Sequence, residues 1–223
     1  MVDWTRLRPG MRGLAVEGKT DKLIIEAFLD AGEKQGHWSN WRAVLSVEIA
    51  GEFQKVLSEL EKQLPQVWGL VDRDWRAETE LSLLQTQHPQ LLVLPRVTIE
   101  NYCIDPVELD ALLPTNLRSP AIRSAIEAVL SEWIQHGALS LTLYENGAHQ
   151  FCRGEKGFPR ALIDSPVTDE AAILSHLIGW HNRLEPQSIL VIYSAKLSAF
   201  QNRASDTYNL CIDGKKFFRQ VVV

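Results

Sequence analysis

Two aspartates one residue apart, Asp72 and Asp74, follow the short apolar run Val67 to Val71. A second apolar run, Leu14-Ala15-Val16, stops at Glu17-Gly18, and Asp21 comes four residues after Glu17. Carboxylates in such a set suit a hard divalent cation, which is bound through a few oxygens and keeps several waters. Each acid also has a plainer reading. Asp21 reads as a helix cap, and Asp72 and Asp74 as loop or cap residues. Glu17 is the hardest to explain that way, because a carboxylate ending a buried apolar strand needs a partner or a cation.

An apolar run flanked by polar, helix-forming sequence predicts a buried parallel strand. In open α/β sheets ligands bind at the C-terminal ends of such strands, which is where these acids fall. The first 75 residues alternate strand and helix twice, as a parallel sheet with crossover connections requires. Residues 13 to 17 predict a strand, and a helix follows from Asp21 to Ala31-Gly32, with Leu23, Ile24, Ala27 and Phe28 on one face. Ala43 to Ile49 predicts the next strand. Glu52 to Lys62 is then helical, with Phe53, Val56, Leu57 and Leu60 in register. Asp74 to Gln87 predicts a helix, Leu91 to Pro95 a buried strand, and Asp105-Pro106 the start of a helix through Leu113.

Beyond this point the pattern changes. Pro120 to Gln135 and Ala171 to Leu184 read as helices, Leu139 to Tyr144 alternates loosely, and Asn146 to Pro159 is glycine-rich and basic. Ser188 to Ser194 reads as a buried strand that rejoins the sheet. The expected organisation is therefore an α/β core over 1–113, a mostly helical insertion over 114–185, and a final strand and C-terminal segment over 186–223 that complete the core.

At 223 residues and 45% apolar content the chain suits one large domain, or one domain carrying an insertion. It has no apolar run of membrane-spanning length and no apolar leader at its start, so no membrane association and a cytoplasmic location are expected. Three scattered cysteines fit free thiols. Six dispersed histidines do not suggest zinc. A net charge of −5 argues against a free-standing, tight nucleic-acid binder. Basic residues nevertheless gather from Lys196 to the end, where Lys196, Arg203, Lys215, Lys216 and Arg219 face only Asp206 and Asp213. Lys196, Lys216 and Arg153 of the basic loop are candidate phosphate contacts, although a solvated turn or loop explains them too.

The ordered set Val16-Glu17-Gly18-Lys19-Thr20-Asp21, then the DxD of Asp72 and Asp74, then Ile99-Glu100-Asn101-Tyr102 and a late Gly214-Lys215 resembles the Toprim fold. Topoisomerases, bacterial primases and the overcoming-lysogenization-defect (OLD) nucleases share that fold. The likeness is greatest to the OLD-like DUF4435 branch and covers about residues 12–110 and 188–218. It implies a Toprim-like sheet and a Mg²⁺- or Mn²⁺-dependent nuclease acting on DNA or RNA. A role in defence against phage or mobile elements, with a partner ATPase, goes with it. By position, Glu17 matches a metal ligand or general base, Asp21, Asp72 and Asp74 match metal ligands, and Glu100 matches an acid of the ENY segment. Lys215 matches a lysine facing the scissile phosphate. The resemblance thus implies two-metal chemistry, with ions roughly 3.5–4 Å apart. Two other classes remain open at this stage. One is a catalytically silent Toprim-like binding module; the other is a receiver-like signalling domain, for which Lys196 after the 188–194 strand would supply the lysine.

Overall fold

The computed structural model describes residues 2–105, 120–145, 162, 166–179, 186–202 and 212–217. The chain forms two compact units, Met1–Pro95 and Arg96–Val223. The division thus falls at Pro95, ahead of the 113/114 boundary expected from the sequence.

The first unit is a three-layer α/β structure. Strands β1 (Arg12–Val16), β2 (Leu45–Ile49), β3 (Val67–Val71) and β4 (Leu91–Val93) form one sheet in the order β2-β1-β3-β4. Every pairing is parallel, with Val16 beside Ile49 on one side and Leu70 on the other. Because alternate residues of a strand face opposite ways, β1 serves two cores. Ala15 packs with Val67, Val71 and Leu91 beneath helix α3 (Phe53–Leu60), whose Phe53, Val56, Leu57 and Leu60 fill one face as their spacing predicts. Leu14 and Val16 pack on the opposite face with Val47, Trp41 of the short helix α2 (Trp41–Val44), and Ile25 and Leu29 of α1 (Lys19–Lys34). Helix α4 (Glu78–Gln87) packs against β4 and places Leu84 in the α3 core. Its start at Glu78 leaves 74–77 as a turn, where the sequence predicts helix.

Helix α1 departs from expectation in two ways. It runs through Gly32 to Lys34, where a stop at Ala31-Gly32 is predicted. Gly32 is present for packing: a Cβ there would sit 2.0 Å from the Trp38 indole, which lies across the helix and donates to the Leu29 carbonyl at 2.7 Å. The helix is also rotated relative to its apolar stripe, leaving Leu23 and Phe28 exposed while Asp21 and Gly32 are buried. The cap at one end and the Trp38 contact at the other hold that rotation, and it turns Asp21 inward. The N-terminal lead-in is likewise no loose extension. Trp4 is buried, and its Nε1–H donates to Glu59 at 2.7 Å.

The described part of the second unit is helical: α5 (Pro120–Glu145), α6 (Glu170–Gly179), α7 (Pro186–Gln201) and the single turn α8 (Gly214–Phe217). The expected strand at 188–194 is therefore corrected to helix. Its apolar run continues into Ala195-Lys196-Leu197, and its buried side chains Ile189, Tyr193 and Phe200 recur at helical spacing while Val191 is exposed. With Leu139, Leu143, Ile173 and Leu177 they build the core shared by α5, α6 and α7. The loosely alternating 139–144 stretch is the last part of α5. A smaller core holds Ile104, Ile126, Trp133, Ile212 and Phe217. The helix expected from Asp105-Pro106 to Leu113 and the 146–159 loop lie outside the described residues, apart from Asp105 itself. No described helix is long and apolar enough to cross a membrane.

Candidate metal centre

The chain leaves β1 for β2 on one side and then returns to β3 on the other. The crevice between the C-terminal ends of β1 and β3 is thus a topological switch point, the place where open parallel sheets bind ligands. Glu17 is the first residue past β1 and Asp72 the first past β3. They meet there: the Asp72 backbone N–H donates to Glu17 Oε1 at 3.1 Å.

Two further acids reach the same corner from the adjoining turns. Asp21 is the third residue of α1, and its Oδ2 accepts the Gly18 N–H at 2.6 Å. Asp21 is thus not the N-cap, which is Gly18, but the acid that accepts from it, and that contact takes one oxygen only. The residue is 6% exposed, and Oδ1 is buried with no hydrogen-bond partner among the described residues. Asp74 sits in the turn after β3 with φ of +51°, in the left-handed region that aspartate tolerates better than most residues. That kink lets the second acid of the DxD leave the alternation of the strand. Its Oδ2 accepts from Arg76 Nη1 at 2.8 Å.

Arg76 is the residue of this corner that the spacing of the acids did not reveal. Its guanidinium lies 3.8 Å above the Phe53 ring, pairs with Glu80 at 3.5 Å, and donates to the Asp72 carbonyl at 3.3 Å. The only signal for it in the sequence is a cation two residues after the DxD. Arg73, between the aspartates, turns outward to Glu78 at 3.0 Å.

The electrostatic consequence falls on Glu17. Burial raises its pKa from 4.5 to about 7; the Asp74 and Asp21 charges add to the rise, while the Asp72 N–H and Arg76 oppose it. Three carboxylates, Glu17, Asp21 and Asp74, with one nearby guanidinium leave a surplus of negative charge in a part-buried corner.

A divalent ion fits this set in kind. The donors are all oxygens, the charge surplus is what a dication offsets, and Asp21 keeps a buried oxygen in reserve. The side chains are not drawn into a closed cage: among the described residues no three of His, Cys, Asp and Glu stand in ligating geometry. Asp74 is turned to Arg76 and must be re-aimed to ligate, while Asp21 has one oxygen taken by the helix cap and only the other to offer.

Glu100 and Lys215 belong to the second unit, where one buried side chain joins their segments. Asn101 Oδ1 accepts from Thr98 N, Thr98 Oγ1 and Gly214 N at 3.0, 3.0 and 3.1 Å, and its Nδ2 donates to the Ile212 carbonyl at 2.9 Å. Glu100 is buried in the 3₁₀ turn Ile99–Cys103, and Lys215 stands half-buried on α8. Gly214 is required by this clamp, since a Cβ would lie 2.5 Å from the Asn101 backbone nitrogen. Asn101→Ala is expected to cost about 3 kcal/mol, because it strands two buried N–H groups and a buried carbonyl. Gly214→Ala is expected to cost about 1–3 kcal/mol by overpacking. Lys215→Ala, on the same turn, should stay within about 0.5 kcal/mol of the parent. Urea unfolding of the three variants checks this ordering.

The candidate phosphate contacts separate in the structure. Lys196 lies on α7 and pairs with Glu145 of α5 at 2.6 Å, an ion pair that ties two helices. It does not follow a strand, so the receiver-like arrangement loses its lysine. Lys216 reaches Asp213 at 3.4 Å, and Arg153 lies outside the described residues. Compared with known proteins, the chain matches no family model, no curated protein and no solved structure.

Proposed function

We propose that the chain is a Mg²⁺- or Mn²⁺-dependent nuclease of Toprim type that hydrolyses phosphodiester bonds of DNA or RNA. The observation that carries the proposal is the meeting of Glu17, Asp21, Asp72 and Asp74 around the β1/β3 switch point. Glu17, Asp21, Asp72 and Asp74 would hold the ion; a second ion with Glu100 is what the resemblance alone implies. A divalent ion held there supplies Lewis-acid activation of water and charge stabilisation at the phosphate.

The protein's own groups divide the remaining work. Glu17, with a pKa of about 7 in the ion-free protein, can accept or release a proton near neutral pH. Lys215 is the residue that the resemblance assigns to the charge developing on the phosphate. Lys216 and Arg153 would add sequence-independent attraction to the nucleic-acid backbone. A net charge of −5 leaves that attraction small, which favours delivery of substrate by a partner; the resemblance names a partner ATPase and a role in defence against phage or mobile elements.

Incubation of the full chain with supercoiled plasmid and with tRNA, in Mg²⁺, in Mn²⁺ and in EDTA, tests the proposal. Cleavage of at least one substrate with metal and of neither in EDTA is expected. Saturable Mn²⁺ binding without cleavage of either would replace the nuclease with a catalytically silent binding module, the second reading that the Arg76–Asp74 pair favours.

A further inference from the structure

We infer that Arg76 is a resident counter-cation that holds Asp74 until a divalent ion displaces it, so that binding of the ion is a cation exchange at the DxD turn. The inference rests on the metal-site reading above and concerns how that site is kept closed. Five contacts fix the guanidinium: the Asp74 carboxylate, the Asp72 and Arg73 carbonyls, the Glu80 carboxylate and the face of Phe53. A long side chain anchored at several points has lost its rotamer freedom already, so its charge stays where it is placed. That placement is selective. Arg76 is 11% exposed, whereas Asp74 is 42% exposed and sits on a left-handed turn. The arginine is thus the more enclosed member of the pair, and the aspartate is the one that faces solvent. A second observation points to a missing cation. Asp21 Oδ1, buried beside the same cluster, has no hydrogen-bond partner among the described residues. Arg76 satisfies the acid nearest to solvent and leaves the inner one unsatisfied.

Exchange has a signature that a purely structural arginine lacks. Removing a structural ion-pair partner loosens a site and weakens ligand binding. Removing a competitor strengthens it. Mn²⁺ binding to the full chain, followed by calorimetry and by the Mn²⁺ EPR signal, distinguishes the two for the parent, Arg76→Gln and Arg76→Lys. Arg76→Gln is expected to bind Mn²⁺ about tenfold more tightly, the size expected when one positive charge is taken from a part-screened site a few ångströms from a dication. Arg76→Lys keeps the charge but not the fork, and its affinity should fall between the two. The gain should vanish in the Asp74→Asn background, where there is no carboxylate to compete for. Unchanged or weaker binding by Arg76→Gln, with the parent still binding, overturns the exchange and leaves the metal site standing. Absence of saturable Mn²⁺ binding in the parent and in both variants removes the site itself and this inference with it. Should Arg76→Gln fail to fold, as judged by circular dichroism in EDTA, Arg76→Lys decides alone: affinity equal to or below the parent's overturns the exchange.

Discussion

Asp72→Asn is expected to lower metal-dependent cleavage by on the order of 10²–10³-fold, the size of losing one electrostatic stabiliser at a reacting centre, without unfolding the protein. Asparagine keeps the shape of the side chain and leaves untouched the backbone N–H that reaches Glu17. What it removes is the carboxylate charge of a buried residue at the end of β3. Mn²⁺ affinity should fall at least about tenfold, with the fold retained in EDTA as judged by circular dichroism. The comparison with Lys215→Ala separates holding an ion from stabilising the phosphate: that variant should lose cleavage and keep Mn²⁺ affinity. An Asp72→Asn protein that is folded and still cleaves at the parental rate would end the nuclease assignment. Equal losses of Mn²⁺ affinity in the Asp72 and Lys215 variants would end the division of roles between them.

The strand-ending acids were legible because their signals are local. An apolar run that stops at a carboxylate is visible in a few residues, and β3 occupies the very residues read from it, Val67–Val71. The α/β class followed from the same alternation. The features that escaped depend on contacts distant along the chain or on competition between faces. The α7 segment shows the difference: Ser188 to Ser194 is apolar enough for a buried strand, and only the residues after it, with the core of α5 and α6, make it helix. Helix α1 shows it again. Its apolar stripe predicts one rotation, and the Trp38 indole seated on Gly32 imposes another, which carries Asp21 inward. Asn101 joins segments 111 and 113 residues away, a pairing that no local pattern encodes. Arg76 was hidden for another reason. Its role lies in what it neutralises, and a cation beside a DxD looks in the sequence like any surface arginine.

Glu17→Gln is expected to make the metal-free protein more stable above pH 7 while removing the group on which the proposed chemistry depends. The unfolded chain releases this proton near pH 4.5 and the folded chain near pH 7, chiefly because the carboxylate is buried. Between those values folding takes up a proton, so stability falls as the pH rises through the window, and the full penalty stands above it. A rise from 4.5 to about 7 corresponds to roughly 3 kcal/mol as an upper bound. Glutamine keeps the acceptor for the Asp72 N–H and carries no charge, so it escapes the penalty. Urea unfolding in EDTA should show parent and variant alike below about pH 4.5, a gap that opens between pH 5 and 7, and a constant gap above. Mg²⁺ should then narrow it, because a dication stabilises the ionised parent more than the neutral variant. A gap that is absent, or of opposite sign, would mean that Glu17 reaches solvent freely and shares no corner with Asp21 and Asp74. In the proposed site, the charge that destabilises the ion-free protein is the charge that would draw the ion in.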